Sequence, residues 1–246
     1  LSLLNGITKT KEHNMDSIKT IEHKGYKINI YPDDTINESP REWDNLGVMV
    51  CFHGRHTLGD KTKLTSDMFD SWEELYKYLV EEGAVLISPL YMYDHSGIHI
   101  KIGNFYGCGL PQGHAHFDSG QIGFTYTTRK KILECCGSYK DGKCSSKRVS
   151  KVMLEKAKQV LTAEVETYDQ YCAGDVYGYM IEDPEGNEKG GCWGYYGYDF
   201  EKSDLLPSAK GEINCEIKNK LEEHNKKLKA QIKGNAPLEI REAISA

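Results

Sequence analysis

Between Val48 and Tyr91 the chain carries its most constraining pattern, a short apolar run, an amphipathic helix with a clear start and stop, and a second apolar run. Val48-Met49-Val50-Cys51-Phe52 has the length and content of a buried strand. Ser66 or Asp67 can cap a helix that continues to about Glu82, with Phe69, Trp72, Leu75, Leu79 and Val80 on one face and Gly83 as its stop. Ala84 to Tyr91 follows as another strand. A connection of this length permits a β-α-β crossover, so the segment constrains the sheet as well as the helix.

The rest of the chain adds further strands and helices. Ile18 to Ile30 alternates around a Lys24-Gly25 turn, and Ile98 to Gly103 and Gln121 to Tyr126 read as half-buried strands. Thr128 caps a short helix to Cys135, and Ser150 caps a long one to about Cys172, striped by Val152, Leu154, Ala157, Val160, Leu161, Val165 and Tyr168. Segments 175–182 and 191–198 flank the turn-rich Asp183-Pro184-Glu185-Gly186-Asn187 and read as an antiparallel hairpin. Residues 209–233 form a charged helix with Ile213, Ile217, Leu221, Leu228 and Ile232 along one side. These elements predict an α+β fold, a mixed and largely antiparallel sheet packed by two or three helices with a C-terminal charged helix; an α/β fold with a parallel sheet is the alternative. Residues 1–14 read as a disordered extension ahead of Met15, 15–205 as one domain, and 206–246 as the charged helix and tail.

With 246 residues the chain can bury a sizeable core. No apolar run approaches the ~20 residues needed to cross a bilayer, and the N-terminus lacks the order of a signal peptide, so a cytoplasmic location is expected. A net charge of −6 disfavours nucleic-acid binding, which needs a basic footprint. Cysteines 51, 108, 135, 136, 144, 172, 192 and 215 are dispersed without zinc-knuckle spacing, and reduced thiols are the ordinary reading. No phosphate-binding glycine loop or nucleophile elbow is present.

Four groups of residues offer chemistry. His114-Ala115-His116-Phe117-Asp118 would gather His114, His116 and Asp118 around a divalent metal such as zinc if the segment were extended, because i and i+2 then share a face. Asp94-His95 follows a strand, where functional loops are commonly placed, and with Asp118 these residues form a catalytic alternative; Ser96 adds a hydroxyl. Against both stands a turn in which the aspartates bond their own backbone. A binding surface is the third group: Arg41, Trp43 and Asp44 in one loop, and Trp193, Tyr195 and Tyr196 in a predicted strand, are residue types that anchor interfaces, although the rings equally suit a core. Glu164, Tyr168 and Tyr171 share a helix face that could line a pocket or buffer a core edge.

The blocks Glu38-Ser39-Pro40-Arg41-Glu42-Trp43-Asp44-Asn45-Leu46-Gly47, Tyr93-Asp94-His95-Ser96-Gly97, Asp118-Ser119-Gly120-Gln121, Glu166-Thr167-Tyr168-Asp169-Gln170-Tyr171, Gly174-Asp175-Val176-Tyr177-Gly178 and Cys192-Trp193-Gly194 together resemble a family of uncharacterised proteins carried by bacteriophages and related mobile elements. Where that family commonly places Pro-Trp before Asp-Ser-Gly-Gln, this chain has His116-Phe117. The resemblance implies an accessory factor that binds and inhibits a host component, such as part of a CRISPR-like or restriction defence complex, without a cofactor. A metal-dependent hydrolase built on the Asp/His cluster is the alternative, and the C-terminal helix offers a route to a homodimer.

Overall fold

A computed structural model describes residues 16–36, 38–95, 97–110, 113–137, 139–140, 143–144 and 148–235. The expected extension over 1–14, Met15 and the Ser96 hydroxyl lie outside the described residues. The fold is α+β with antiparallel sheets and a C-terminal helix. Its backbone divides into two compact units, one made of residues 1–33 and 177–246 and the other of 34–176. The single domain read over 15–205 is thus cut at 33 and 177, and the C-terminal helix belongs to the first unit.

In the first unit, β1 (Lys19–His23) and β2 (Tyr26–Pro32) form a hairpin, joined by β9 (Val176–Glu182) and β10 (Glu188–Tyr196) in the order β1-β2-β9-β10. Lys24 and Gly25 turn the first hairpin with φ of 52° and 83°, the two positive angles that match strand twist in a two-residue loop. Ile28 faces Ile181 and Ile30 faces Tyr179, so the alternation places all four on one sheet face. Helix α5 (Leu205–Asn235) covers that face with Leu205, Leu206, Ala209 and Ile213. Each fully buried Ile or Leu contributes about 1.5–3 kcal/mol of apolar transfer.

The second unit has the sheet order β3-β6-β4-β5, from β3 (Val48–Cys51), β4 (Ala84–Asp94), β5 (Ile98–Ile102) and β6 (Ser119–Thr128). Because β3 and β4 each run antiparallel to β6, they are parallel to each other with β6 between them. The expected β-α-β unit is therefore split. Helix α1 (Trp72–Glu81) starts later than predicted: residues 66–68 form a 3-10 turn, and the Ser71 side chain accepts the Glu74 amide. Met49 and Val50 alternate across β3, Met49 packing with Val165 and Tyr168 of α4 (Lys151–Ala173) and Val50 with Leu75 and Leu79 of α1. The sheet therefore lies between two helical layers. Ser150 caps α4 as read, and Gly174 closes it at φ 77°, a left-handed angle that costs glycine little.

Helix α2 (His114–Phe117) and α3 (Arg129–Cys136) complete the helices, and the two-residue strands β7 (Tyr139–Lys140) and β8 (Lys143–Cys144) pair locally. No helix of the described residues is long and apolar enough to cross a membrane.

Candidate metal centre

The end of β4 divides the predicted Asp94-His95 pair. Successive residues of a strand point to opposite faces. Asp94 accordingly turns to the loop after β3, where its Oδ2 lies 2.8 Å from Arg55 Nη2 and 3.2 Å from His56 Nε2. His95 instead stacks on Tyr93, and its ring centroid lies 4.6 Å from that of His114. The catalytic set of Asp94, His95 and Asp118 is corrected by this alternation, since only His95 and Asp118 come together.

The predicted set of His114, His116 and Asp118 is corrected for a different reason. Residues 114–117 are helical rather than extended, so i and i+4 share a face and i+2 does not. His114 Nδ1 lies 3.4 Å from Asp118 Oδ2 and 3.2 Å from the Tyr93 hydroxyl, while His116 Nδ1 meets the Tyr106 hydroxyl at 3.3 Å. His95 takes the place expected for His116. One potential ligand atom from each of His95, His114 and Asp118 lies within 4.8 Å of the others, with His114 and Asp118 about one-third exposed. The Asp94 amide donates to the Asp118 carbonyl at 3.0 Å, fixing the two strand ends to each other.

These donors suit a borderline cation such as zinc, which takes imidazole nitrogen and carboxylate oxygen, and three protein ligands leave a coordination position open. Tyr93 is nearly buried and packs against Phe105, so its hydroxyl orients His114 from a rigid wall.

In the loop after β3, side chains between Cys51 and Ser66 line an open pocket of about 530 Å3. His53 and His56 stack with planes 4° apart, and the His56 amide donates to His53 Nδ1 at 3.3 Å. Burial, followed by the charges of His56 and Arg55, pushes the His53 imidazole below its ordinary range. Arg55 and His56 lie outside the candidate residues expected from the sequence. The signal was present in His53-Gly54-Arg55-His56, three basic side chains in four residues directly after a strand.

Arg41, expected at a recognition edge, is buried. Its Nε and Nη2 bond the two oxygens of Asp60 at 2.8 and 2.9 Å, and Nη2 also donates to the Gly47 carbonyl. Trp43 and Asp44 are exposed, with Asp44 3.7 Å from Lys131 Nζ. In the other unit Trp193 lies over Gly178 beside Tyr31, while Tyr195 packs with Tyr179 on the core face. Tyr196 is half-buried. The six predicted binding residues therefore belong to two units and do not form one patch within either. Glu164 accepts the amides of Leu46 and Gly47, and Tyr168 accepts that of Gly59, so these residues tie loops to α4 instead of lining an open site.

Compared with protein-family models, curated proteins and solved structures, the chain matches none.

Proposed function

We propose that the unit formed by residues 34–176 binds one divalent cation of the zinc class through His95, His114 and Asp118 and acts as a metal-dependent hydrolase. The observation that carries this reading is the convergence of the three ligand atoms within 4.8 Å, from the end of a strand and a short helix on the connection that follows β5. A bound divalent cation supplies Lewis acidity near neutral pH. The chain's own residues supply orientation: Tyr93 holds His114, and the Asp94–Asp118 backbone bond sets the spacing of the two strand ends. Asp94, held by Arg55 and His56 on the opposite face, sets the neighbouring wall.

Calorimetric titration of chelator-treated protein with zinc tests the binding. One equivalent is expected to bind, His114→Ala and Asp118→Asn to abolish it, and His116→Ala to leave it intact. Absence of binding, or equal loss on His114→Ala and His116→Ala, would overturn the assignment. Hydrolysis of bis(p-nitrophenyl) phosphate by the zinc-loaded protein, lost in His114→Ala, tests the activity.

A second reading, an accessory factor that binds a host defence component, is supported by Trp43, which is 47% exposed beside a fully exposed Asp44. Large exposed rings are common interface anchors. Capture of a stoichiometric host protein by the wild type and its loss on Trp43→Ala would support this reading; equal capture by both would remove Trp43 from it.

A further inference from the structure

Two cavities of the 34–176 unit meet at Phe52 and Ser66, which line both. The first, about 530 Å3, has a wall of His53, His56, Thr57, Lys61, Thr62 and Thr65. Imidazole, ammonium and hydroxyl groups there offer donors from several directions. Asp60 is the one carboxylate of that wall, and it is neutralised: both its oxygens bond Arg41, and Oδ2 also accepts the Met49 amide. Lys61 and the neighbouring Arg55 carry the positive charge of this loop, Lys61 paired with Glu42 at 3.2 Å and Arg55 with Asp94 at 2.8 Å, both partners lying outside the wall. This combination favours an oxyanion with acceptors on several sides, which describes a phosphoryl group better than a planar carboxylate.

The second cavity, about 430 Å3, is aromatic. Phe52 lies nearly parallel to Trp72, with planes 11° apart, and to Phe69, with planes 19° apart. Asp70 and Glu73 stand at its rim and can accept hydrogen bonds from amino groups. Flat faces with acceptors at the edge suit a heteroaromatic ring. The two volumes are each in the range of small-molecule sites.

We propose that the joined cavities bind a phosphate ester bearing a flat nitrogenous ring, of the nucleoside monophosphate class, with the phosphoryl group among His53, Lys61 and the threonines and the ring against Phe69 and Trp72. His56 contacts Asp94, whose side chain lies on the face opposite His95, so this wall is a binding site separate from the candidate metal ligands. Binding of this ligand does not rest on the hydrolase reading.

The test titrates chelator-treated protein with adenosine 5′-monophosphate, inorganic phosphate and adenosine by calorimetry. The nucleotide is expected to bind at least tenfold more tightly than either fragment. His53→Asn combined with Lys61→Gln weakens the nucleotide and phosphate about tenfold while leaving adenosine unchanged. Phe69→Leu weakens the nucleotide and adenosine but not phosphate. Lys61 is almost fully exposed, so Lys61→Gln alone provides a variant that folds. Nucleotide binding no tighter than that of phosphate, or unaffected by these substitutions, would overturn the proposal. Failure of zinc binding with nucleotide binding intact would remove only the hydrolase reading.

Discussion

Arg41 and Asp60 form a two-pronged ion pair whose side chains are 3% and 18% exposed, and the same Asp60 oxygen that meets Nη2 also accepts the Met49 amide. The pair thus ties the 40–42 turn and the 52–66 loop to β3. Asp60→Ala leaves the Arg41 charge enclosed, where it faces Glu164 only at 3.7 Å. Removing one partner of such a pair costs about 3–5 kcal/mol. Urea denaturation is expected to show that loss as a lower midpoint, and a change below about 1 kcal/mol would show that water reaches the guanidinium.

Trp193 occupies the space above Gly178, so a Cβ there would overlap its ring. Gly178→Ala is expected to cost about 1–3 kcal/mol by overpacking. The double variant with Trp193→Ala should recover part of that cost, giving a clear coupling energy in a double-mutant cycle. Simple additivity would place the ring elsewhere.

Acid sensitivity should concentrate in the 183–189 turn. Burial pushes the Asp183 carboxyl up, but bonds from the Asn187 amide, Lys189 and the Asn187 side chain outweigh it and hold the group well below the usual carboxylate range. A depressed folded value means that the stabilisation is fully present above the unfolded value near 3.8 and is lost as pH falls toward the folded one. Asp183→Asn should therefore flatten the stability decline below about pH 4, read by urea titration at pH 6 and pH 3. An unchanged acid limb would assign that decline to other carboxylates.

Thiol reactivity should split into two classes. Burial and the nearby Asp60 push Cys51 up to about 12, and burial pushes Cys172 up to about 11, whereas Cys108, Cys135, Cys192 and Cys215 are exposed. The thiolate is the reactive form. With iodoacetamide at pH 8, peptide mass spectrometry should find the four exposed cysteines labelled first and Cys51 and Cys172 only after denaturant. Early labelling of Cys51 would mean that the β3 edge opens in the native state.

Much of this fold was legible because its signals are local. The Lys24-Gly25 turn, the Thr128 and Ser150 caps and the α4 stripe from Ala157 to Tyr168 each depend on neighbours within a few residues, whereas Val152 of α4 and Leu221, Leu228 and Ile232 of the expected α5 stripe are exposed, and α5 docks through Leu205, Leu206, Ala209 and Ile213. What could not be read is set by distant pairing: β6 inserting between β3 and β4, and β2 joining β9, are choices that alternation alone does not specify. The His95, His114 and Asp118 cluster shows the same division. His114 and Asp118 were marked as candidates, but whether they join His116 or His95 depends on residues 114–117 being helical, and four residues carry too little pattern to show that. Arg41 was misplaced because its carboxylate partner lies 19 residues away in a loop.

The unit built from segments on either side of residues 34–176 also sets an order of events during synthesis. β2 has no partner on one edge until β9, some 150 residues later, has left the ribosome, and its apolar face waits for the start of α5. Residues 34–176 meet no such delay, because every strand of their sheet lies within the segment. The 34–176 sheet therefore has all its strands available before β2 gains β9, and a chain halted before residue 205 leaves the first sheet without the start of α5, an open edge and face of the kind that aggregates.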